Sequence, residues 1–154
     1  MPPVKLVPLL LLAILFSACA RNPPQALVVK QFVLRDQEQE RSEDAMVRME
    51  KMRRLHGAVS MEARRQRLGQ YYTFVWHDPD GAGNGEVTAL FEYRQGGSTI
   101  KRMTRTFPAG DTDGIADFAV TGDDYFNHGK VLAWRASIAR GGREIASKQS
   151  YLWR

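Results

Sequence analysis

The most regular alternation in this chain is the stretch VLAWRASI, which spans Val131–Ile138. From Leu132 onward every second residue is apolar, and the positions between them include Arg135 and Ser137. A period of two sends successive side chains to opposite faces of a strand, so the stretch predicts a half-buried β-strand. A glycine pair follows at positions 141–142, where it would turn the chain back into a neighbouring strand.

Similar runs of β-branched and aromatic residues occur on both sides of this stretch. We predict seven strands, six of them consecutive and joined by short, mostly glycine-containing connections. They are Ala26–Leu34, Tyr71–Trp76, Val87–Arg94, Thr99–Phe107, Ile115–Thr121, Val131–Ile138 and Ile145–Trp153. In the last strand we expect Trp153 to be buried, which would contribute about 2–3 kcal/mol to stability.

Short strands with tight turns are typical of an antiparallel sandwich or barrel. The preferred fold is mainly β: an immunoglobulin- or fibronectin-like antiparallel sandwich with a charged helical insertion, and with Trp76 or Trp134 at the centre of its core. The chain has a single cysteine, Cys19, so it forms no internal disulfide and fits the fibronectin-like version better. The alternative is an α+β fold in which one sheet carries a helix across one face.

The charged insertion covers residues 36–69, directly after the first strand. It contains seven acidic and eight basic side chains and no aromatic residue. Five of its residues recur at steps of four and three, as they would on one side of a helix. They are Ala45, Met49, Met52, His56 and Val59. Ser60 is a suitable N-cap for a second short helix ending near Gly69. We expect the methionine side of the insertion to pack against a sheet.

The beginning of the chain has the composition of an export signal. Lys5 precedes an uninterrupted apolar run, Leu9–Phe16, which is followed by the small residues Ser17 and Ala18. A short positive region, an apolar stretch and small residues before a cleavage point form the pattern of a secretory signal peptide. The apolar run is too short to span a bilayer, which takes roughly 20 such residues.

The motif Leu15-Phe16-Ser17-Ala18-Cys19 resembles a lipobox, at which bacteria attach lipid to a cysteine and cleave the chain before it. Lipoboxes usually carry Leu, Val or Ile three places before the cysteine, where this chain has Phe16. By this resemblance the chain is a bacterial lipoprotein precursor. The resemblance implies a signal peptide at residues 1–18, an acylated Cys19 that anchors the protein to a membrane, and a short tether within residues 19–25. Residues 26–154 would form the β-rich mature domain.

The resemblance also implies a location in the bacterial cell envelope. An aspartate directly after the cysteine commonly retains such lipoproteins in the inner membrane, and Ala20 stands there instead, which favours the outer membrane. The formal net charge is +5, and Lys5 is the one charged side chain before Cys19, so about +4 remains, spread along the mature part. This charge suits an anionic lipid surface. It lacks the clustering of a nucleic-acid-binding face.

Candidate sites for chemistry are sparse. Asp78, Asp80 and Glu86 faintly resemble a calcium loop, but Ala82 stands at the fifth ligand place and Glu86 comes too early. A structural turn explains this loop better, and we expect no metal site and no cofactor. The three histidines are never at metal-ligand spacing. They are His56, His77 and His128, of which the last two lie in acidic loops and could approach one another at one end of a sandwich.

Two functions from different classes remain open. The preferred one is a non-enzymatic envelope module, which binds an envelope protein or a glycan or assembles with a partner. The alternative is a small envelope hydrolase or sugar-active enzyme that uses the loop acids Asp78, Asp80, Asp123 and Asp124. Convergence of these carboxylates to within about 10 Å across one groove would favour the enzyme.

Overall fold

The computed structural model describes residues 25–35, 44–81 and 85–154. The predicted signal peptide, Cys19 and most of the predicted tether lie outside the described residues. The elements in chain order are β1 (Leu27–Leu34), α1 (Ala45–Leu55), α2 (Met61–Arg65), β2 (Gly69–His77), β3 (Val87–Arg94), β4 (Lys101–Phe107), β5 (Asp113–Thr121), α3 (Gly122–His128), β6 (Ala133–Arg140) and β7 (Arg143–Gln149).

The strands form two antiparallel sheets, with the orders β1-β2-β5 and β4-β3-β6-β7. The chain therefore changes sheet between β2 and β3, between β4 and β5, and again between β5 and β6. This distribution of strands is that of a fibronectin-like sandwich, so the predicted fold class is confirmed. The described residues form two sheets, and not the single sheet of the α+β alternative. A helix nevertheless covers part of one of these sheets.

Aromatic side chains fill the space between the sheets. Tyr72, Phe74 and Trp76 occupy alternate positions of β2 and point inward, each at most 1% exposed. Phe91 of the opposite sheet lies 4.6 Å from Tyr72 and 5.6 Å from Phe74 between ring centroids. Trp76 is thus fully buried, whereas Trp134 packs partly buried at the flank of this core, 6.0 Å from Tyr72.

The helical insertion lies between β1 and β2, as predicted, and packs on the outer face of the three-stranded sheet. A small second core of Leu34, Leu68 and Tyr71 joins them there, with Leu55 of α1 packed against it. Each of the two insertion helices begins at a residue whose side chain accepts a hydrogen bond from a free backbone N–H group of the first turn. The Ser60 hydroxyl accepts one from Ala63 N at 3.0 Å, so the predicted N-cap is confirmed.

The predicted orientation of α1 is wrong. Its methionine side faces water: Met49 is 60% exposed and Met52 51% exposed, while Lys51 on the other side is buried. The reason is the outer face of the sheet below, which offers partners for cations. The Arg54 guanidinium lies 4.3 Å from the centre of the Tyr71 ring and 3.8 Å from the Asp117 carboxylate. Aromatic rings and carboxylates attract arginine and lysine side chains, so the basic side of α1 packs against the sheet.

The last strand is shorter than predicted. β7 ends at Gln149, and the chain then forms a turn in which Trp153 N donates to Ser150 O at 3.1 Å. The reason is that β6 begins at Ala133 and offers almost no backbone beyond the position opposite Gln149. Trp153 is only partly buried, with the Arg94 guanidinium 5.4 Å from its ring centre, so its stabilising contribution is smaller than expected.

One helix was not predicted. α3 lies between β5 and β6, where the sequence TGDDYFNHG resembles a plain polar connection. Across the ranges given above, no helix has the length and apolar character needed to cross a bilayer.

The position of Phe91 between the two sheets allows this description of the core to be tested by mutation. Phe91→Ala should lower the free energy of unfolding by about 3–5 kcal/mol, because it leaves a cavity where the two sheets meet. Urea denaturation followed by circular dichroism measures the loss. Ile115→Ala is the matched control, since Ile115 is 61% exposed on the outer face of the other sheet. A similar loss in both variants would contradict this description of the core.

Candidate functional site

Three connections meet at one end of the sandwich around the Arg140 guanidinium. Its Nε donates to Asp78 Oδ2 at 2.6 Å, its Nη1 to Ala109 O at 2.7 Å and its Nη2 to Asp111 O at 2.6 Å. Both partners of the ion pair are buried. The connections after β2 and β4 are thereby tied to the end of β6, directly before the β6–β7 turn.

The Asp78 carboxylate is fully engaged in this cluster. Burial by itself would raise the pKa of Asp78. The hydrogen bond from Arg140 outweighs this effect, together with the hydrogen bond from the Asp80 backbone N–H and the charges of Arg140 and Arg143. The pKa of Asp78 is therefore lowered. A carboxylate held ionised by a buried guanidinium cannot act as a general acid near neutral pH. The pair is best described as a structural link between loops.

The calcium-loop candidates are not brought together. Asp78 is bound by Arg140, Asp80 pairs at 3.0 Å with Arg143 in solvent, and Glu86 is exposed on the way into β3. Within the described residues, which omit 82–84 of this loop, no group of three or more potential metal ligands occurs.

The opposite end of the sandwich contains a second polar cluster, around Asp124 of α3. Its carboxylate pairs with Lys101 Nζ, accepts from the Tyr93 hydroxyl at 3.2 Å and lies 3.1 Å from His128 Nδ1. Gln95, which is buried, donates to the backbone carbonyl of Asp124 at 3.0 Å. Burial, with a further contribution from Asp124, raises the pKa of Tyr93 to about 12. These contacts fasten α3 to β3 and β4, which makes them structural as well.

The two histidines and the four loop acids do not share a cleft. β2 pairs with β5 so that Gly69 faces Thr121 and His77 faces Asp113. The loop after His77, with Asp78 and Asp80, is therefore separated from Asp123, Asp124 and His128 by the whole of β2. The nine residues of β2 span eight steps of about 3.3 Å, which places the two ends roughly 25 Å apart. His56 is exposed on the helical insertion, far from any other histidine in the sequence.

A groove of about 360 Å³ lies between α1 and the outer face of the three-stranded sheet. Apolar, aromatic, polar and charged side chains line it together. They are Lys30, Gln31, Phe32, Met46, Glu50, Arg53, Arg54, Tyr71 and Thr73. Aromatic rings beside a few polar groups suit a peptide segment or a glycan. We refer to this surface as the α1 groove.

Electrostatics on one side of the α1 groove are set by Glu50. Its carboxylate accepts from Arg53 Nη2 at 2.7 Å and from Arg54 Nε at 2.8 Å. The hydrogen bond from Arg53, together with the contribution of Arg54, lowers the pKa of Glu50 against the opposing effect of burial. Glu50 therefore remains ionised and holds the exposed Arg53 guanidinium at the rim, where it can meet anionic or polar partners, whereas Arg54 is mostly buried against Tyr71.

Sequence reasoning did not find the α1 groove. It forms because β1, β2 and α1 come together from separate parts of the chain, and no local pattern indicates which side of α1 faces the sheet. Comparison with known proteins finds no matching family model, no matching curated sequence and no matching solved structure.

The buried ion pair gives a pH-dependent prediction. Asp78→Asn should lower the free energy of unfolding by about 3–5 kcal/mol near neutral pH, because it leaves the Arg140 charge buried without a counterion. The folded-state pKa of Asp78 lies below its usual 3.8, so the pair stabilises fully above that value and less as the pH falls towards the folded-state pKa. The difference between wild type and variant should therefore shrink below about pH 4 in urea titrations.

Asp80→Asn is the control for this experiment. Asp80 makes a similar ion pair with Arg143, but both side chains are 66% exposed, so its loss should change stability by less than about 1 kcal/mol. A constant difference between wild type and Asp78→Asn from pH 7 to pH 2 would contradict the structural role of the pair.

Proposed function

We propose that this chain is a lipid-anchored lipoprotein of the bacterial cell envelope, whose sandwich acts as a non-enzymatic module that binds or assembles with another envelope component. The observation that carries the anchoring half is the motif Leu15–Cys19 at the end of an apolar leader, in a chain with no other cysteine. Acylation of Cys19 explains why a lone cysteine stands at that point. Two or more acyl chains hold a protein stably at a bilayer, whereas one does so only marginally.

The start of the folded domain supports this proposal. β1 begins at Leu27, so only seven residues separate Cys19 from the first strand. Two of these are the prolines Pro23 and Pro24, which favour an extended backbone. The short tether would keep the sandwich beside the headgroups, and Ala20 after the cysteine favours the outer membrane.

The distribution of side chains supports the binding half. The carboxylates that hydrolysis would need lie at opposite ends of the sandwich, and Asp78 and Asp124 are each held by a cation. The α1 groove, in contrast, combines an accessible concavity with the aromatic residues Phe32 and Tyr71 and with Arg53 at its rim. A protein segment or a glycan of the envelope is the ligand class that this combination suits best.

Labelling with radioactive palmitate tests the anchor. Wild-type protein should incorporate label and fractionate with membranes, whereas Cys19→Ser should incorporate none and should accumulate as an unprocessed or soluble form. Ser17→Cys within the Cys19→Ser background provides a control for non-specific acylation, since it offers a thiol two places away from the motif's cysteine. Equal labelling of the wild type and Cys19→Ser would refute lipidation at this residue.

Site-specific crosslinking tests the binding module. A photo-crosslinking amino acid at Lys30, which lines the α1 groove, should give discrete adducts in intact cells that mass spectrometry can identify. The same amino acid at Arg102, an exposed position on the outer face of the other sheet, is the matched control. The absence of specific adducts from Lys30, or the same adducts from both positions, would contradict binding at the α1 groove.

A further inference from the structure

The insertion helices expose an apolar surface that the sandwich leaves uncovered. Met49 and Met52 lie on the solvent side of α1 and Met46 lies at the rim of the α1 groove, while Val59 and Met61 are exposed at the start of α2. Val59 is 90% exposed. Large apolar side chains that cluster on one exposed side of a helix mark a contact surface more often than single exposed residues do.

A second apolar group lies on the same side of the molecule. Val28, Val75 and Ile115 face one another across β1, β2 and β5. Their neighbours in the strands, such as Val29 and Phe74, point into the core, so these three side chains point to the outer face, where α1 also lies. The row stands next to Gln25, where the described chain begins and from which the tether would lead to Cys19.

The described helices of the insertion carry a local excess of positive charge. Residues 44–69 contain seven basic and three acidic side chains, which gives +4, whereas residues 70–154 contain ten of each and are neutral. Residues 36–43, directly before α1, contain four acidic side chains and one basic one, so the excess belongs to residues 44–69 and not to the insertion as a whole. Of the acids nearest to α1, Glu50 binds Arg53 and Arg54, and Asp117 lies 3.8 Å from Arg54.

We propose that the α1–α2 methionine surface, which faces away from the sheet beneath α1, lies on an anionic bilayer surface. The inference rests on the proposed lipid anchor. Ala20–Gln25 can span at most roughly 20 Å, so an anchored domain cannot move its outer face far from the headgroups. A helix with an apolar side and exposed cations beside it associates with such interfaces, because apolar side chains enter the boundary region while exposed arginines such as Arg53 and Arg65 meet the anionic lipids.

Two single-cysteine variants test the contact in the lipidated full-length protein, where the acylated Cys19 does not react with a thiol dye. Met49→Cys places the dye on the methionine surface, and Thr104→Cys places it on the exposed outer face of the other sheet. The proteins are reconstituted into vesicles of phosphatidylcholine with a third of phosphatidylglycerol, and into vesicles of phosphatidylcholine alone. Dye emission and quenching by aqueous iodide are then recorded.

On the anionic vesicles, the dye at Met49→Cys should shift its emission to shorter wavelength and lose several-fold in iodide quenching, while the dye at Thr104→Cys should change little. The shielding at position 49 should weaken on phosphatidylcholine alone, because each basic side chain near an anionic surface contributes about fivefold to association. Equal quenching at both positions on the anionic vesicles overturns the proposal. So does shielding that is independent of lipid charge.

The remaining outcomes separate this inference from the proposed function. Shielding at position 49 that is already present in detergent and grows with protein concentration would assign the surface to a second copy of the chain and overturn the lipid contact. Protein that floats with the vesicles while its Met49→Cys dye stays in water overturns the inference and leaves the anchor intact. Protein that neither carries palmitate nor floats overturns the anchor itself.

Discussion

The fold depends on the aromatic side chains that β2 sends into the space between the sheets. Tyr72, Phe74 and Trp76 meet Phe91 of the opposite sheet, while the backbone of β2 is hydrogen-bonded on both sides, to β1 and to β5. The outer face of the same strand presents Tyr71, on which the insertion helices pack. The close packing leaves little room: a Cβ at Gly114, which faces Trp76 in the register, would lie 2.9 Å from the indole nitrogen. Both the sandwich and its helical cover therefore depend on one strand.

Much of the architecture could be predicted because strands and turns leave local patterns. The alternation from Val131 to Ile138 and the aromatic run from Tyr71 to Trp76 indicate strands without knowledge of their partners. The orientation of α1 could not be predicted in this way. Helical periodicity groups Met49 and Met52 on one side, but whether that side faces a sheet depends on what the sheet presents, and here Tyr71 and Asp117 attract Arg54. Similarly, the end of β7 depends on where β6 begins, which is a property of the pairing.

The functional residues were harder to predict than the fold. The acidic loops were found, but which of them lie together follows from topology, and the length of β2 separates His77 from His128. Arg140 gave no signal, because an arginine at the end of a strand is usually exposed, and its importance comes from the connections after β2 and β4 that meet there. The α1 groove likewise joins residues from three elements. These features are set by long-range contacts that no short stretch of sequence encodes.

The position of β1 has a mechanical consequence. Among the described strands it is an edge strand whose eight residues pair with β2 alone, and the chain leads back from its first residue towards Cys19. A pull along that chain acts in line with the strand, so it shears all the hydrogen bonds between β1 and β2 together, without opening them one by one. Under the proposed anchoring at Cys19, a pull exerted through the tether would load this short ladder in shear.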